Sequence, residues 1–210
     1  MIPPRYSPAG HAESEVRDLV TRIVDGVLAS DASIRDEARP KAAAEPGPSA
    51  ETTTGGAVAI GADHGGYALK EKLAFKLRES GVEVVDCGTD GPDPVDYPDF
   101  AHMVARAVID GTARWGIVVD GAGIGSAMAA NKVPGIRAAL CYDLSSARNS
   151  REHNHANVLT LGAGLVGDGL AWQIVQEWLS VEWGPGRHAR RVDKITALEQ
   201  SYLRGKAGVD

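Results

Sequence analysis

Aromatic residues are scarce in this chain, 5% of its 210 positions. That suits close-packed strands and helices better than an aromatic-rich binding sheet. Cysteine is scarcer still, with only Cys87 and Cys141. The two form no CxxC pair and fit no metal-ligand spacing, so two reduced thiols in a cytosolic protein are expected. No apolar run approaches the ~18 residues that a membrane span requires. No basic segment leads into an apolar core at the N-terminus, so no secretory signal is expected. Positive charge is not in surplus either. The formal net charge is -6 and no basic stripe is visible, which excludes nucleic acid as an expected partner.

Hydrophobic residues make up 43% of the sequence, enough for a core, and the length suits one domain with an appendage. Composition changes near residue 56. Residues 30–56, SDASIRDEARPKAAAEPGPSAETTTGG, hold one Ile and no other large apolar side chain. Such a segment buries too little surface to offset the entropy of ordering, so it is expected to be a flexible linker. Ahead of it, within residues 1–29, Val16, Leu19, Val20, Ile23, Val24, Val27 and Leu28 form a helical apolar stripe. A lone helix of this length is marginal in water, so its apolar face must meet something. That could be its own oligomer, a membrane surface or another protein.

From residue 57 to 210 the pattern is strand and helix in alternation. AVAIG, VEVVDCG, GIVVD, GIRAALC and NVLTLG read as strands. YALKEKLAFKLRES, DFAHMVARAVIDG, GSAMAANKV, LSSARNSREH, GLAWQIVQEWLS and RRVDKITALEQSYL read as helices. This predicts an α/β, Rossmann-like three-layer fold with a five-stranded parallel sheet, plus the N-terminal amphipathic helix on its linker. Ligands of such sheets gather at the carboxyl ends of the strands, where strand order reverses.

Polar groups cluster at the expected strand ends. Asp63 and His64 follow the first strand, and Asp120 with the turn Gly121-Ala122-Gly123-Ile124-Gly125 follows the third. Glu152, His153 and Asn154 precede the fifth, and a basic run from Arg187 to Arg191 opens the last helix. The turn matches no complete dinucleotide fingerprint, because its third glycine is out of register and no suitable acid follows. What it offers is a set of backbone N–H groups at a helix start, which stabilises a phosphate or a developing oxyanion.

Together, GADHGGYALKEKL, VDYPDFA, GIVVDGAGIGSAMAANKVPGIRAAL, REHNHANVLTLG and GRHARRVDKI resemble successive blocks of the type B ribose-5-phosphate isomerases. That family also includes galactose-6-phosphate isomerase subunits. The resemblance spans residues 57–200. It implies a homodimer or a dimer of dimers with an active site shared between subunits. It also implies aldose–ketose interconversion through an enediolate, with no metal or cofactor. In this chain Asp63 and His64 would contact substrate and Tyr97 would line the pocket. Gly121, Gly123, Ile124 and Gly125 would hold the enediolate oxygens through backbone N–H groups. His153 would assist ring opening, Asn154 would bond the substrate oxygens, and Arg187 and Arg191 would grip the phosphate. Two guanidinium forks one helical turn apart suit that task.

The chain departs from the family pattern at the reacting centre. Many members end the third strand in a cysteine that moves the proton; here Asp120 stands there. Others carry a glutamate after the glycine turn; here it is Ser126. Ala122 and Gly164 replace a hydroxyl and an arginine found in some members. Asp120 is expected to be the base, being about as long as a cysteine. The alternatives are that it caps the following helix, or that the site binds sugar phosphate without turnover. The N-terminal helix resembles the encapsulation peptides of bacterial microcompartment cargo, so residues 12–29 are expected to engage a shell protein.

Overall fold

The computed structural model describes residues 21–22 and 56–205. The chain divides into two units, Met1–Glu51 and Thr52–Asp210. In the first, Thr21 and Arg22 are helical and exposed. The rest of the expected amphipathic helix, and the expected linker up to residue 55, lie outside the described residues.

The second unit is a three-layer α/β domain. Its strands are β1 (Val58–Ala62), β2 (Val84–Asp86), β3 (Trp115–Asp120), β4 (Ala138–Leu140) and β5 (Val158–Gly162). Its helices are α1 (Tyr67–Glu79), α2 (Tyr97–Ile109), α3 (Ile124–Ala130), α4 (Leu144–Glu152), α5 (Asp168–Ser180) and α6 (Arg187–Gly205). All pairings are parallel, in the order β2-β1-β3-β5-β4. The chain goes from β1 outward to β2, then returns across to β3, so the topological switch point lies between β1 and β3.

Period-two alternation sends strand side chains to opposite faces. Val58, Ile60 and Ala62 of β1 and Ile117 and Val119 of β3 meet the layer of α1, α4 and α5. Ala59 and Val118 meet α2 and α3 on the other face. In α1, Leu69, Leu73 and Leu77 recur every four residues and are buried. Each such side chain contributes about 1.5–3 kcal/mol of burial.

Several element boundaries differ from the sequence expectation. The second and fourth strands shrink to three residues each. Both lie at sheet edges and pair on one side only. Helix α2 begins at Tyr97 rather than Asp99, because Pro98 sits where a missing N–H costs no helical bond. Helix α6 begins at Arg187, where the basic run opens it. Arg187 and Arg191 therefore lie on one face of a continuous helix.

Candidate active site

The polypeptide turns sharply after β3, and Asp120 shapes that turn. Its Oδ1 accepts the Ala122 N–H at 2.7 Å and the Gly123 N–H. Its Oδ2 accepts the Ser126 N–H at 3.0 Å and the Ser126 hydroxyl. The residue is 5% exposed. Three backbone donors and one hydroxyl thus surround a single carboxylate. Gly123, the helix cap residue, has φ +77°. A Cβ at Gly123 would stand 2.5 Å from Leu140 Cδ1 and 2.9 Å from the Leu161 carbonyl carbon. Only glycine fits that backbone. Bonding the Ser126 amide, third in α3, is the task of a helix cap, so Asp120 does perform the capping role. It also engages the amides of Ala122, Gly123 and Ser126. The amides of Ile124 and Gly125 remain at the open start of the helix.

The turn after β1 lies alongside. Asp63 Oδ1 accepts the Gly66 N–H at 2.9 Å, which fixes the entry to α1. A Cβ at Gly65 would stand 3.3 Å from Asp63 Oδ1 and 3.6 Å from the Gly121 nitrogen, so the two turns touch. His64 is exposed, and its Nδ1 lies 3.2 Å from both the nitrogen and the oxygen of Val95. The Tyr97 ring covers Gly125, where a Cβ would come within 2.6 Å of its Cζ. The Tyr142 hydroxyl donates to the Ala122 carbonyl at 3.4 Å. Asp63, His64, Tyr97, Asp120 and Gly121 to Gly125 therefore converge at the switch point between β1 and β3.

The remaining expected residues form a second group elsewhere. Helix α4 returns to the start of β5, so His153 and Asn154 lie at the amino-terminal ends of the strands. The expectation that placed them with the carboxyl ends is corrected by this topology. His153 Nδ1 is 2.8 Å from Asn149 Nδ2, and Asn154 Nδ2 donates to Asn149 Oδ1 at 3.4 Å. The His153 ring stacks on His188 at 4.2 Å between centroids and 2° between planes. Arg187 Nε donates to His188 Nε2 at 3.4 Å. Desolvation, then His153, Arg187 and Arg191, hold the His188 imidazole below its ordinary range, with Glu152 opposing. Among the described residues, no hydrogen bond, ion pair or ring contact joins this group to the first. The length of the sheet separates them, about 13–16 Å at ~3.3 Å per residue. One protomer does not bring both groups to one ligand.

Sequence reasoning missed three contributors. Ser126 stood out only as the loss of a glutamate, yet its hydroxyl and amide hold Asp120. His188 was one letter of a basic run, and its ring partner was not readable. Lys70, 1% exposed, donates to Asp86 Oδ1 at 2.8 Å, Asp86 Oδ2 at 3.0 Å and the Thr89 carbonyl at 3.0 Å. It anchors the connection from β2 toward Val95 and Tyr97. A lysine inside an otherwise apolar helix face was the available signal.

A doubly wound α/β domain with two carboxylates, a histidine and a glycine turn at its switch point is built to hold a small polar ligand. The comparisons with known proteins agree. The chain belongs to the ribose/galactose isomerase family, which it matches over residues 58–195, and it is an isomerase. It is 47% identical over 143 residues to ribose-5-phosphate isomerase B of Escherichia coli (strain K12), covering 68% of this chain and 96% of that one. It is 43% identical over 144 residues to D-erythrulose-4-phosphate isomerase of Pectobacterium atrosepticum, covering 68% and 94%. The solved structure of ribose-5-phosphate isomerase B from Clostridium thermocellum matches with a TM-score of 0.68 and 54% identity, covering 69% of this chain and 98% of that one. Among the described residues, no helix is long and apolar enough to cross a membrane. No group of three or more His, Cys, Asp or Glu among them could hold a metal ion.

Proposed function

We propose that this domain interconverts ribose 5-phosphate and ribulose 5-phosphate, at a site that two copies of the chain build together. The observation that carries the reading is the convergence of Asp63, His64 and the Asp120 turn at the switch point of a chain 47% identical to a ribose-5-phosphate isomerase B. One copy supplies those groups with Tyr97. The second copy of a homodimer or homotetramer supplies His153, Asn154, Arg187 and Arg191, which the first cannot bring within reach. The two arginines bind the phosphate, and His153 moves the proton that opens the sugar ring. A base then takes the proton from C2, and the charge spreads over O1 and O2. The Ile124 and Gly125 amides face that charge, the O2 proton passes to O1, and the carbon-bound proton returns at C1.

Asp120 is the base in this reading. Of its four donors only the Ser126 hydroxyl can rotate away, which frees one lone pair on Oδ2 for the sugar. A second reading is favoured by the same hydrogen bonds: Asp120 only organises the turn, and Asp63, whose Oδ1 alone is tied to the turn by the Gly66 N–H, takes the proton. The four-carbon substrate in the Pectobacterium relative's name keeps a four-carbon sugar phosphate as an alternative. A six-carbon sugar, or a site that binds sugar phosphate without turnover, are others. The N-terminal unit, through residues 12–29, directs this otherwise cytoplasmic enzyme to a microcompartment shell protein. Its support is the apolar stripe and the linker composition.

The test is a panel of four-, five- and six-carbon sugar phosphates assayed with the native chain, Asp120→Asn and Asp63→Asn. Turnover best on ribose 5-phosphate, with at least ~100-fold loss in one variant only, names both substrate and base. No native turnover on any sugar overturns the reading. Equal co-sedimentation with shell proteins, with and without residues 1–30, overturns the targeting role.

A further inference from the structure

His153 and Asn154 are flanked by two residues that reach the same place. The Glu152 carbonyl accepts the Gly184 N–H at 2.9 Å. His155 Nε2 lies 2.8 Å from the Gly184 carbonyl oxygen. A carbonyl only accepts, so that nitrogen carries the hydrogen. Both backbone groups of Gly184 are thus taken by the neighbours of the His153–Asn154 pair. Gly184 lies three residues ahead of Arg187, where α6 begins. No larger residue fits there: a Cβ would stand 2.5 Å from the Glu152 carbonyl oxygen and 3.2 Å from His188 Cδ2.

The rest of His155 is held for this contact. The residue is 8% exposed, and its imidazole stacks on the Trp183 indole at 4.9 Å between centroids and 2° between planes. Its backbone N–H donates to the Arg151 carbonyl at 3.1 Å, and its carbonyl accepts from Arg137 Nε at 2.9 Å. The Arg137 guanidinium also lies 5.7 Å from the Trp183 ring centre. The His155 backbone has φ +51°, and among the described residues it is the one non-glycine with positive φ. That region is unfavourable for most side chains. Such conformations persist where surrounding contacts hold them, and they cluster at functional sites. Here the side-chain contacts run to Trp183 and Gly184, the segment that leads into Arg187 and Arg191.

We propose that His155 is a positioning residue for the reaction: by holding Gly184 it sets the spacing between the His153–Asn154 pair and the two arginines of α6, so that one sugar phosphate spans both. The proposal rests on the reading that a single ligand meets those four side chains. Ring opening at one end and phosphate binding at the other tolerate little error, since a displacement of about 1 Å can lower a rate ~100-fold. Arg187 and Arg191 share one helix, so a shift of α6 carries both together. A lone phosphate is then bound as before, while a sugar phosphate no longer meets His153 in register.

The test uses the full chain as native, His155→Gln and His155→Asn, with ribose 5-phosphate as substrate and inorganic phosphate as competing inhibitor. A glutamine amide nitrogen reaches about as far as Nε2 and still donates to Gly184, whereas an asparagine amide stops short of it. Asparagine fits a left-handed backbone better than glutamine. A merely structural role therefore makes asparagine the milder change, in unfolding and in turnover alike. Positioning predicts the opposite order in turnover. The value of kcat/KM is expected to be at least ~10-fold lower in His155→Asn than in His155→Gln, with the inhibition constant of phosphate unchanged in both. Gly184→Ala strikes the same contact from the other side and is expected to show the same loss with the same phosphate inhibition. Turnover in His155→Asn equal to or above that of His155→Gln overturns the proposal. So does phosphate inhibition that weakens in step with turnover. Should the His155 variants fail to fold, native kcat/KM in Gly184→Ala overturns it alone. No turnover of any sugar phosphate by the native chain removes the reading of the site, and this proposal with it.

Discussion

Asp120 is where single atoms decide between two accounts of the site. Replacing it with alanine strands the Ala122, Gly123 and Ser126 amides and the Ser126 hydroxyl, in a turn that is mostly buried. Unsatisfied buried donors cost about 1–3 kcal/mol each, and some regain water here. Asp120→Ala is therefore expected to lose about 3 kcal/mol in denaturant unfolding. Ser126→Ala removes only the rotatable donor and is expected to lose about 1 kcal/mol. If Asp120 takes the proton, Ser126→Ala keeps turnover within ~10-fold of native, because the alanine frees the lone pair that the sugar proton needs. A fall as deep as that of Asp120→Ala would show the hydroxyl to be part of the working site. His188 gives a second measurement at this scale. Its imidazole is held below the ordinary 6.5 by desolvation, then His153, Arg187 and Arg191. In the unfolded chain it charges first as pH falls, so its share of stability is whole above about pH 6.5 and declines below it. Proton NMR is expected to show a His188 midpoint below 6.5, rising in His153→Ala as the stacked neighbour leaves. A midpoint unchanged in that variant would remove His153 as a cause.

Lys70 acts on a whole connection. From inside α1 it reaches across β1's end to grip Asp86 and the Thr89 carbonyl. Asp86 Oδ1 in turn accepts the Gly88 N–H at 2.9 Å. Burial pushes the ammonium down, but the bonds to Asp86 and Glu71 outweigh it and raise it above 10.5. A raised lysine stabilises the fold at all lower pH and loses that contribution as pH climbs through its folded value. Native stability should therefore fall steeply above about pH 10.5, and Lys70→Met should flatten that decline while losing about 1–3 kcal/mol at pH 7. An equally steep alkaline decline in the variant would assign it to other groups. Elements of this kind were legible in the sequence to different degrees. The strand–helix alternation and the switch-point turns were plain, because buried apolar runs and glycine breaks fix them locally. The lengths of β2 and β4 were not, since an edge strand ends where its single neighbour stops pairing. Nor was the direction of the Asp120 carboxylate, which depends on which amides a φ +77° glycine turns inward. The separation of His153 from Asp120 had a signal that could have been used: one motif follows a helix and the other a strand, so a parallel sheet sends them to opposite ends.

That separation sets the question for the whole molecule. If one ligand touches both groups, each site takes Asp63, His64 and Asp120 from one chain and His153, Asn154, Arg187 and Arg191 from another. Exposed apolar side chains on α6, including Leu198 at 62% and Tyr202 at 77% exposure, give a second copy a surface to cover. Consider Asp120→Ala and His153→Ala chains, each inactive alone, unfolded together and refolded as a mixture. A mixed two-fold dimer then holds one site with both defects and one site with neither. Random pairing makes half the dimers mixed, so about one quarter of the native rate is expected to return. A chain that completes its own site gives no recovery at all, since every site would still carry one defect. Recovery near a quarter assigns the reaction to the dimer. Its absence, with mixed dimers shown by mass spectrometry, would return the proton transfer to one protomer's switch point and leave the His153–His188 stack a structural feature.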